Sequence, residues 1–323
     1  MGDARSRSGF ALAATLGVLS VLGLMMAGAF AASLRARHSA RLASGEITLS
    51  AAADHVVYGA LEPSGGTPLA DLPLGAATIH DGADPELPDD SARVAVTRLP
   101  GNLLWIVADV MPRASGDIER RVALIAHFPV AAAPPSAAIV ARRSVVLGGA
   151  VRMLPDTAHD ADCAAPDAPD VVLAPGASLS SSAGIRAETQ AAASDSATYL
   201  LTARQVVLLR NKPGVLVIDG DTTIANGNLE GILIVLGTLT VGGPLSVTGL
   251  VVAGGAVHAT APGLSVTGAL LAFDAPGSAS DSAPGAVSLG DATIRYSPCV
   301  VARALRRAAP PVPLRHRGWS ELF

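Results

Sequence analysis

Four apolar runs in the C-terminal half of the chain each open on a glycine: Gly214 to Gly220, Gly231 to Gly237, Gly249 to Gly255 and Gly268 to Asp274. The opening glycines stand 17, 18 and 19 residues apart, and the last two close one pentapeptide, Leu245-Ser246-Val247-Thr248-Gly249 and Leu264-Ser265-Val266-Thr267-Gly268. Val287-Ser288-Leu289-Gly290 repeats the pattern more loosely after a polar insertion, and each period carries a second short run such as Thr238-Leu239-Thr240-Val241. A period this short, with two or three β-prone runs and glycine corners, reads as a short right-handed parallel β-helix. One period alone cannot bury its apolar face, so the core must come from stacking neighbours at the strand spacing of about 4.8 Å. An antiparallel sandwich of short strands is the alternative, and the repeated pentapeptide favours the solenoid. Three residues on from each glycine stand Val217, Ile234, Val252 and Leu271, which this reading makes equivalent inward positions. Residues 136–149 read as an opening coil, 155–200 as an excursion, and Gln205 to Leu209 as the way back in.

Composition agrees with a mainly β chain. Of 323 residues 50% are hydrophobic and 15% charged, which excludes a wholly disordered chain. Aromatics make only 3%, so the core is aliphatic and a large aromatic-lined pocket is not expected. The formal charge of −4 argues against a dedicated nucleic-acid binder, which would be basic.

The other constraint lies at the N-terminus. Phe10 to Leu34 are 25 residues without a charge. As a helix they span roughly 37 Å, more than a hydrocarbon core of about 30 Å. A cleaved secretory signal is the competing reading, but the apolar stretch is about twice the usual length for one. No proline interrupts the chain until Pro63, so one transmembrane and amphipathic helix is expected over 10–61, with Gly45 as its weak point. Residues 62–92 read as a loop rich in Gly, Pro and Asp. Strand-like runs over 93–99, 103–110 and 119–128 follow, separated by turn signals at Pro100-Gly101-Asn102 and Ala114-Ser115-Gly116-Asp117.

The resulting division is a leader over 1–9, the helix over 10–61, a small antiparallel meander over 62–130 and a linker over 131–135. The solenoid then covers 136–301 and a basic, proline-containing tail 302–323. That tail reads as an extended strap whose Trp319, Leu322 and Phe323 cap the open end of the solenoid.

Two stretches carry a family resemblance. Arg7-Ser8-Gly9-Phe10-Ala11-Leu12 is similar to the processing region of type IV prepilins, which implies cleavage between Gly9 and Phe10. Major pilins carry Glu at the fifth mature position, where this chain has Ala14, which argues against a major, polymer-forming pilin. Phe10 to Gly45 resembles the N-terminal segment of PilX-type minor pilins and pilus-assembly proteins. Val217 to Asp221, Gly231 to Val235 and Ala292 to Cys299 resemble the glycine-rich β tail of the same family. The resemblance implies a single-pass protein of the bacterial inner membrane with its C-terminal part outside the cytoplasm. Its implied partners are the membrane and other pilin-like or envelope proteins.

Little in the chain points to catalysis. Carrying Asp219 onto the following periods meets Leu236, Gly254 and Phe273, none able to join acid–base work of the kind polysaccharide-acting β-helices need. Asp156-Thr157-Ala158-His159-Asp160-Ala161-Asp162-Cys163 gathers metal-capable groups but lacks a second histidine, and reads as a solvated acidic loop. Cys163 and Cys299 are a disulfide candidate if the domain is exported, two buried thiols otherwise. No cofactor, metal, nucleic acid or small-molecule substrate is expected. The reading is a membrane-anchored, non-catalytic, minor-pilin-like component of envelope assembly. Its alternatives are a stand-alone envelope-anchored β-solenoid with a structural or adhesive role and, third, a polysaccharide-acting enzyme.

Overall fold

The computed structural model describes residues 6–61, 69–82, 90–112, 120–128, 135–156, 163, 168–181, 184–190, 206–207, 209–210, 212, 214–273, 285–309, 311–314 and 319–322. It begins with one long helix, α1 (Ser6–Gly59), unbroken at Gly45. Ala and Leu dominate its first half, and both are strong helix formers. From Ala14 on, the apolar side chains of that half are exposed, among them Leu24, Met26 and Phe30. Only towards its end does the helix bury a face, through Leu49, Ala52, Ala53 and Val57 at the three-and-four spacing of a helical stripe.

That stripe packs on an antiparallel sheet. β1 (Ala77–Gly82), β2 (Asp90–Leu99), β3 (Leu103–Pro112) and β4 (Arg120–His127) pair in chain order. Alternation assigns Val94, Val96, Leu104, Ile106, Val122 and Leu124 to the core with α1, as a half-buried sheet requires. β1 lies inside the stretch expected to be loop. Its own residues are weakly β-prone, and a six-residue pairing with β2, from Ala77 opposite Thr97 to Gly82 opposite Ala92, holds it in place.

The remaining strands form two parallel sheets. They are β5 (Ile139–Ala141), β6 (Val145–Leu147), β7 (Arg152–Leu154), β8 (Val171–Leu173), β9 (Leu179–Ser181) and β10 (Ala187–Thr189). After them come β11 (Val215–Ile218), β12 (Thr222–Ile224), β13 (Gly227–Val235), β14 (Leu239–Val241), β15 (Leu245–Ala253), β16 (Val257–Ala259), β17 (Leu264–Ala272), β18 (Val287–Leu289) and β19 (Ala292–Tyr296). One sheet runs β10-β8-β5-β17-β15-β13-β11, with β19 beside β17 and β7; the other runs β12-β14-β16-β18-β6-β9. From β11 to β17 the chain alternates between the two sheets. Each strand of 214–273 pairs in parallel with its counterpart one period on, which excludes the antiparallel sandwich. Val217, Ile234, Val252 and Leu271 stand opposite one another in register. At β11 Leu216 is exposed while Val217 packs on the core, so this row faces inward.

Gly231, Gly249 and Gly268 stack at the bend in the middle of β13, β15 and β17, with φ of 136°, 144° and 136°. A Cβ on Gly249 would lie 1.8 Å from the carbonyl oxygen of Gly231, and one on Gly268 1.8 Å from that of Gly249. Both the left-handed backbone and the close approach of neighbouring chains demand glycine here.

Three expectations are corrected. The stretch 136–149 does not open the stack: its β5 sits between β17 and β8, and its β6 between β18 and β9. An entry strand placed inside the sheet is hydrogen-bonded on both edges, which a terminal position would deny it. The excursion over 155–200 is not wholly outside the sheets, because β8, β9 and β10 extend them in parallel register. The tail is not an extended strap either. Its first part is α2 (Pro298–Ala308), with Pro298 at the first helical position and the Ser297 hydroxyl accepting from the Val300 N–H at 3.4 Å. Its second part, β20 (Val312–Pro313) and β21 (Trp319–Leu322), pairs antiparallel with β4 instead of capping the parallel sheets; Phe323 lies outside the described residues. The parallel part is therefore inserted between β4 and β20 of the antiparallel sheet.

Replacing Ile234 with Asp sets a carboxylate between Val217 and Val252 in the inward row, at an expected cost of about 3–5 kcal/mol. Asp at the half-buried Thr240 is expected to cost under about 1 kcal/mol. Thermal unfolding of the detergent-solubilised chain compares the two; equal losses would refute the register. Gly249→Ala must push two neighbouring strands apart, and in the same assay is expected to lose about 3 kcal/mol or more.

Candidate functional site

Gly9 and Phe10 fall within α1 by backbone, and their side chains lie outside the described residues. The helix they open is long and apolar enough to cross a membrane. The other candidate residues converge on α2.

Sequence reasoning missed α2, although Ser297-Pro298 is a helix start and Val301, Ala304, Leu305 and Ala308 keep helical spacing. Those four side chains join the core of the parallel part, packed across β13, β15 and β17. This explains why the outward residues Leu233, Val251 and Leu270 are as buried as the inward row. Cys299, near the start of α2 and buried, is bonded to Cys163, 136 positions away in sequence, with 4.9 Å between their Cα atoms. In the chain-entropy account, closing so long a loop contributes about 4–5 kcal/mol at most.

The far end of α2 reaches the antiparallel part. The Arg306 guanidinium, only 4% exposed, donates from Nε to the Ala70 carbonyl at 3.4 Å and from a terminal nitrogen to Asn102 Oδ1 at 3.2 Å. Arg307 takes Asp71 in a forked contact, with Nε at 3.0 Å and a terminal nitrogen at 2.8 Å, and its other terminal nitrogen holds Glu230 of β13. Charge-assisted forks of this kind fix orientation as well as adding energy. Hydrogen bonding to Asp71 first, and to Glu230, holds the Arg307 guanidinium above its ordinary pKa. Arg303 adds a looser contact to Asp71 at 3.7 Å. One guanidinium thus bridges the short 3₁₀ turn Leu69–Asp71 and the parallel sheet.

A second tie lies at the entry to the parallel part, where the Tyr296 hydroxyl donates to the Pro135 carbonyl. Burial, with the Asp156 charge adding to it, pushes that phenol up to about 12.

The outward rows of the parallel part, partly exposed, carry mostly polar groups. Thr223, Thr240, His258, Ser288, Val146 and Ser180 form one register row, and Asn228, Ser246, Ser265, Thr293 and Arg152 another. Neither row sets two carboxylates side by side, as glycoside hydrolysis would require. Asp219 is held by Arg210 in a forked pair at 2.6 and 2.8 Å, and hydrogen bonding from that guanidinium lowers its pKa. Arg121 is likewise engaged, across the sheet on Asp109. Of the acidic stretch before Cys163, His159, Asp160 and Asp162 lie outside the described residues. Among the described residues no three His, Cys, Asp or Glu side chains gather as a metal site would need.

No protein-family model matches the chain, and no curated protein matches it. Among solved structures, the crystal structure of an ice binding protein from an Antarctic Biological Consortium is similar over 53% of this chain and 90% of that one. With 15% identity and a TM-score of 0.23, that likeness carries no argument about this chain.

If the Cys163–Cys299 bond forms in the exported protein, non-reducing electrophoresis is expected to show a faster band than the reduced chain. Two free thiols by quantitative labelling of the native protein would count against it.

Proposed function

We propose that this chain is a membrane-anchored, non-catalytic component of type IV pilus or related envelope assembly, of minor-pilin type. The carrying observation is α1. It is one unbroken helix that exposes an uncharged apolar surface from Ala14 to Leu34 and whose last turns pack Leu49, Ala52, Ala53 and Val57 on an antiparallel sheet. Such a helix holds a folded head at a set height above a bilayer. On this reading it sits in the bacterial inner membrane, with everything beyond it outside the cytoplasm. The Cys163–Cys299 bond supports an oxidising compartment.

The parallel part is, on the same reading, a short right-handed parallel β-helix displayed by the head. In-register pairing of successive periods and the aliphatic rows between the sheets support it. The rows of Ser and Thr facing out from it suit contact with other pilin-like or envelope proteins better than acid–base chemistry. Ala14, where major pilins carry Glu, favours a second reading: an envelope-anchored β-solenoid with a structural or adhesive role that never enters a fibre.

The mature N-terminus separates the two. Co-expressed with a prepilin peptidase, the full chain is expected to begin at Phe10 by mass spectrometry, and Gly9→Leu to abolish that cleavage. A chain still beginning at Met1, or one cut after Ala29, would leave the pilin reading without its basis.

A further inference from the structure

We propose that Arg35, Arg37 and Arg41 form a cationic collar that binds the phosphates of anionic phospholipid headgroups where α1 leaves the bilayer. The inference rests on α1 being a retained membrane anchor. Because the helix is unbroken, its rise sets heights: Arg35 lies roughly 37 Å and Arg41 roughly 46 Å beyond Phe10. A hydrocarbon core of about 30 Å widens to about 40–45 Å with both headgroup layers. With Phe10 at one interface, the three arginines stand in the far headgroup layer and at its outer edge. Long side chains can also reach back towards the lipid from just outside it.

The side chains themselves point to an external anion. All three are exposed, and among the described residues none has an ion-pair or hydrogen-bond partner. Elsewhere Arg186 meets Asp170, Arg210 meets Asp219, and Arg307 meets Asp71 and Glu230. No Asp or Glu occurs between Asp3 and Glu46, so the helix carries no carboxylate able to neutralise the collar from an adjoining turn. Arg37 and Arg41 stand four apart on one helix face, where like charges repel unless an anion comes between them. The head core begins at Leu49, which leaves this stretch uncovered. A guanidinium fork matches phosphate geometry, and each basic side chain near an anionic surface adds to the attraction. The collar directly continues the apolar span, so the phosphate nearest to it is that of the lipid itself.

The test reconstitutes the full chain in vesicles of phosphatidylcholine with and without phosphatidylglycerol. Spin-labelled lipids then measure the preference of the protein-bound shell for phosphatidylglycerol. The wild type is expected to prefer it, with the preference falling about tenfold or more in the triple variant Arg35→Gln, Arg37→Gln, Arg41→Gln. The triple Arg→Lys variant, with the charges kept, is expected to retain most of it. Alkaline extraction confirms insertion in every case. Inserted protein with no preference, or with the same preference in the Gln variant, overturns the collar and leaves the anchor standing. In that event the arginines are free for an acidic protein partner. A chain that fails to insert in either lipid overturns the anchor reading and the collar together.

Discussion

The parallel part depends on how closely its backbones approach at the bend between Glu230 and Ile232 and at the equivalent bends one and two periods on. There the Gly214 carbonyl accepts from the Ile232 N–H at 2.7 Å, and Gly231, Gly249 and Gly268 follow one another with no room for a Cβ. That approach holds the strands in register, and the register stacks Ile232 on Leu250 and Ala269, and Ile234 on Val252 and Leu271. A one-residue slip would bring inward and outward residues into the same row. Aliphatic burial supplies the larger share of the stabilisation, but it is non-directional. The glycines give it direction.

A stack of this kind would hang from the head by the short connection after Phe128 if nothing else joined the two. The return of the chain prevents that. α2 covers the outer side of β13, β15 and β17, Cys299 staples its start to Cys163, and Arg306 and Arg307 fasten its end to Ala70, Asp71 and Asn102. β20 and β21 then complete the antiparallel sheet along the edge of β4. Two chain crossings, a buried guanidinium and a shared sheet therefore join the parts. The buried Arg306 is tolerated because its donors find a carbonyl and an amide oxygen; without them, its desolvation would oppose the fold.

Much of the candidate site was hidden from the sequence for a physical reason. Arg303, Arg306 and Arg307 read as part of a basic tail because their partners are more than two hundred residues away or, for Glu230, on another element. Arg306 and Ala70, for example, are 236 apart. The prolines at 310, 311 and 313 favour extended backbone, and that local preference is silent on the helix that starts at Ser297-Pro298 and ends before them. β10 was illegible in another way. Ala187-Glu188-Thr189 is not β-prone, and becomes a strand only because Val171 to Leu173 present an edge beside it.

What the sequence by itself determined is what repeats or what is uniform over a long stretch. The uncharged run from Phe10 to Leu34 makes a long apolar helix, and the glycine spacing of 17 to 19 makes Val217, Ile234, Val252 and Leu271 equivalent. Both are local or periodic constraints, readable wherever they occur. Tertiary structure alone decided that β5 enters between β17 and β8, that the parallel part is inserted into the head sheet, and that the tail returns as a helix and two edge strands. Those choices depend on which unpaired edges and apolar faces remain once the repeats have stacked, and a lone segment carries no record of the edge it will meet.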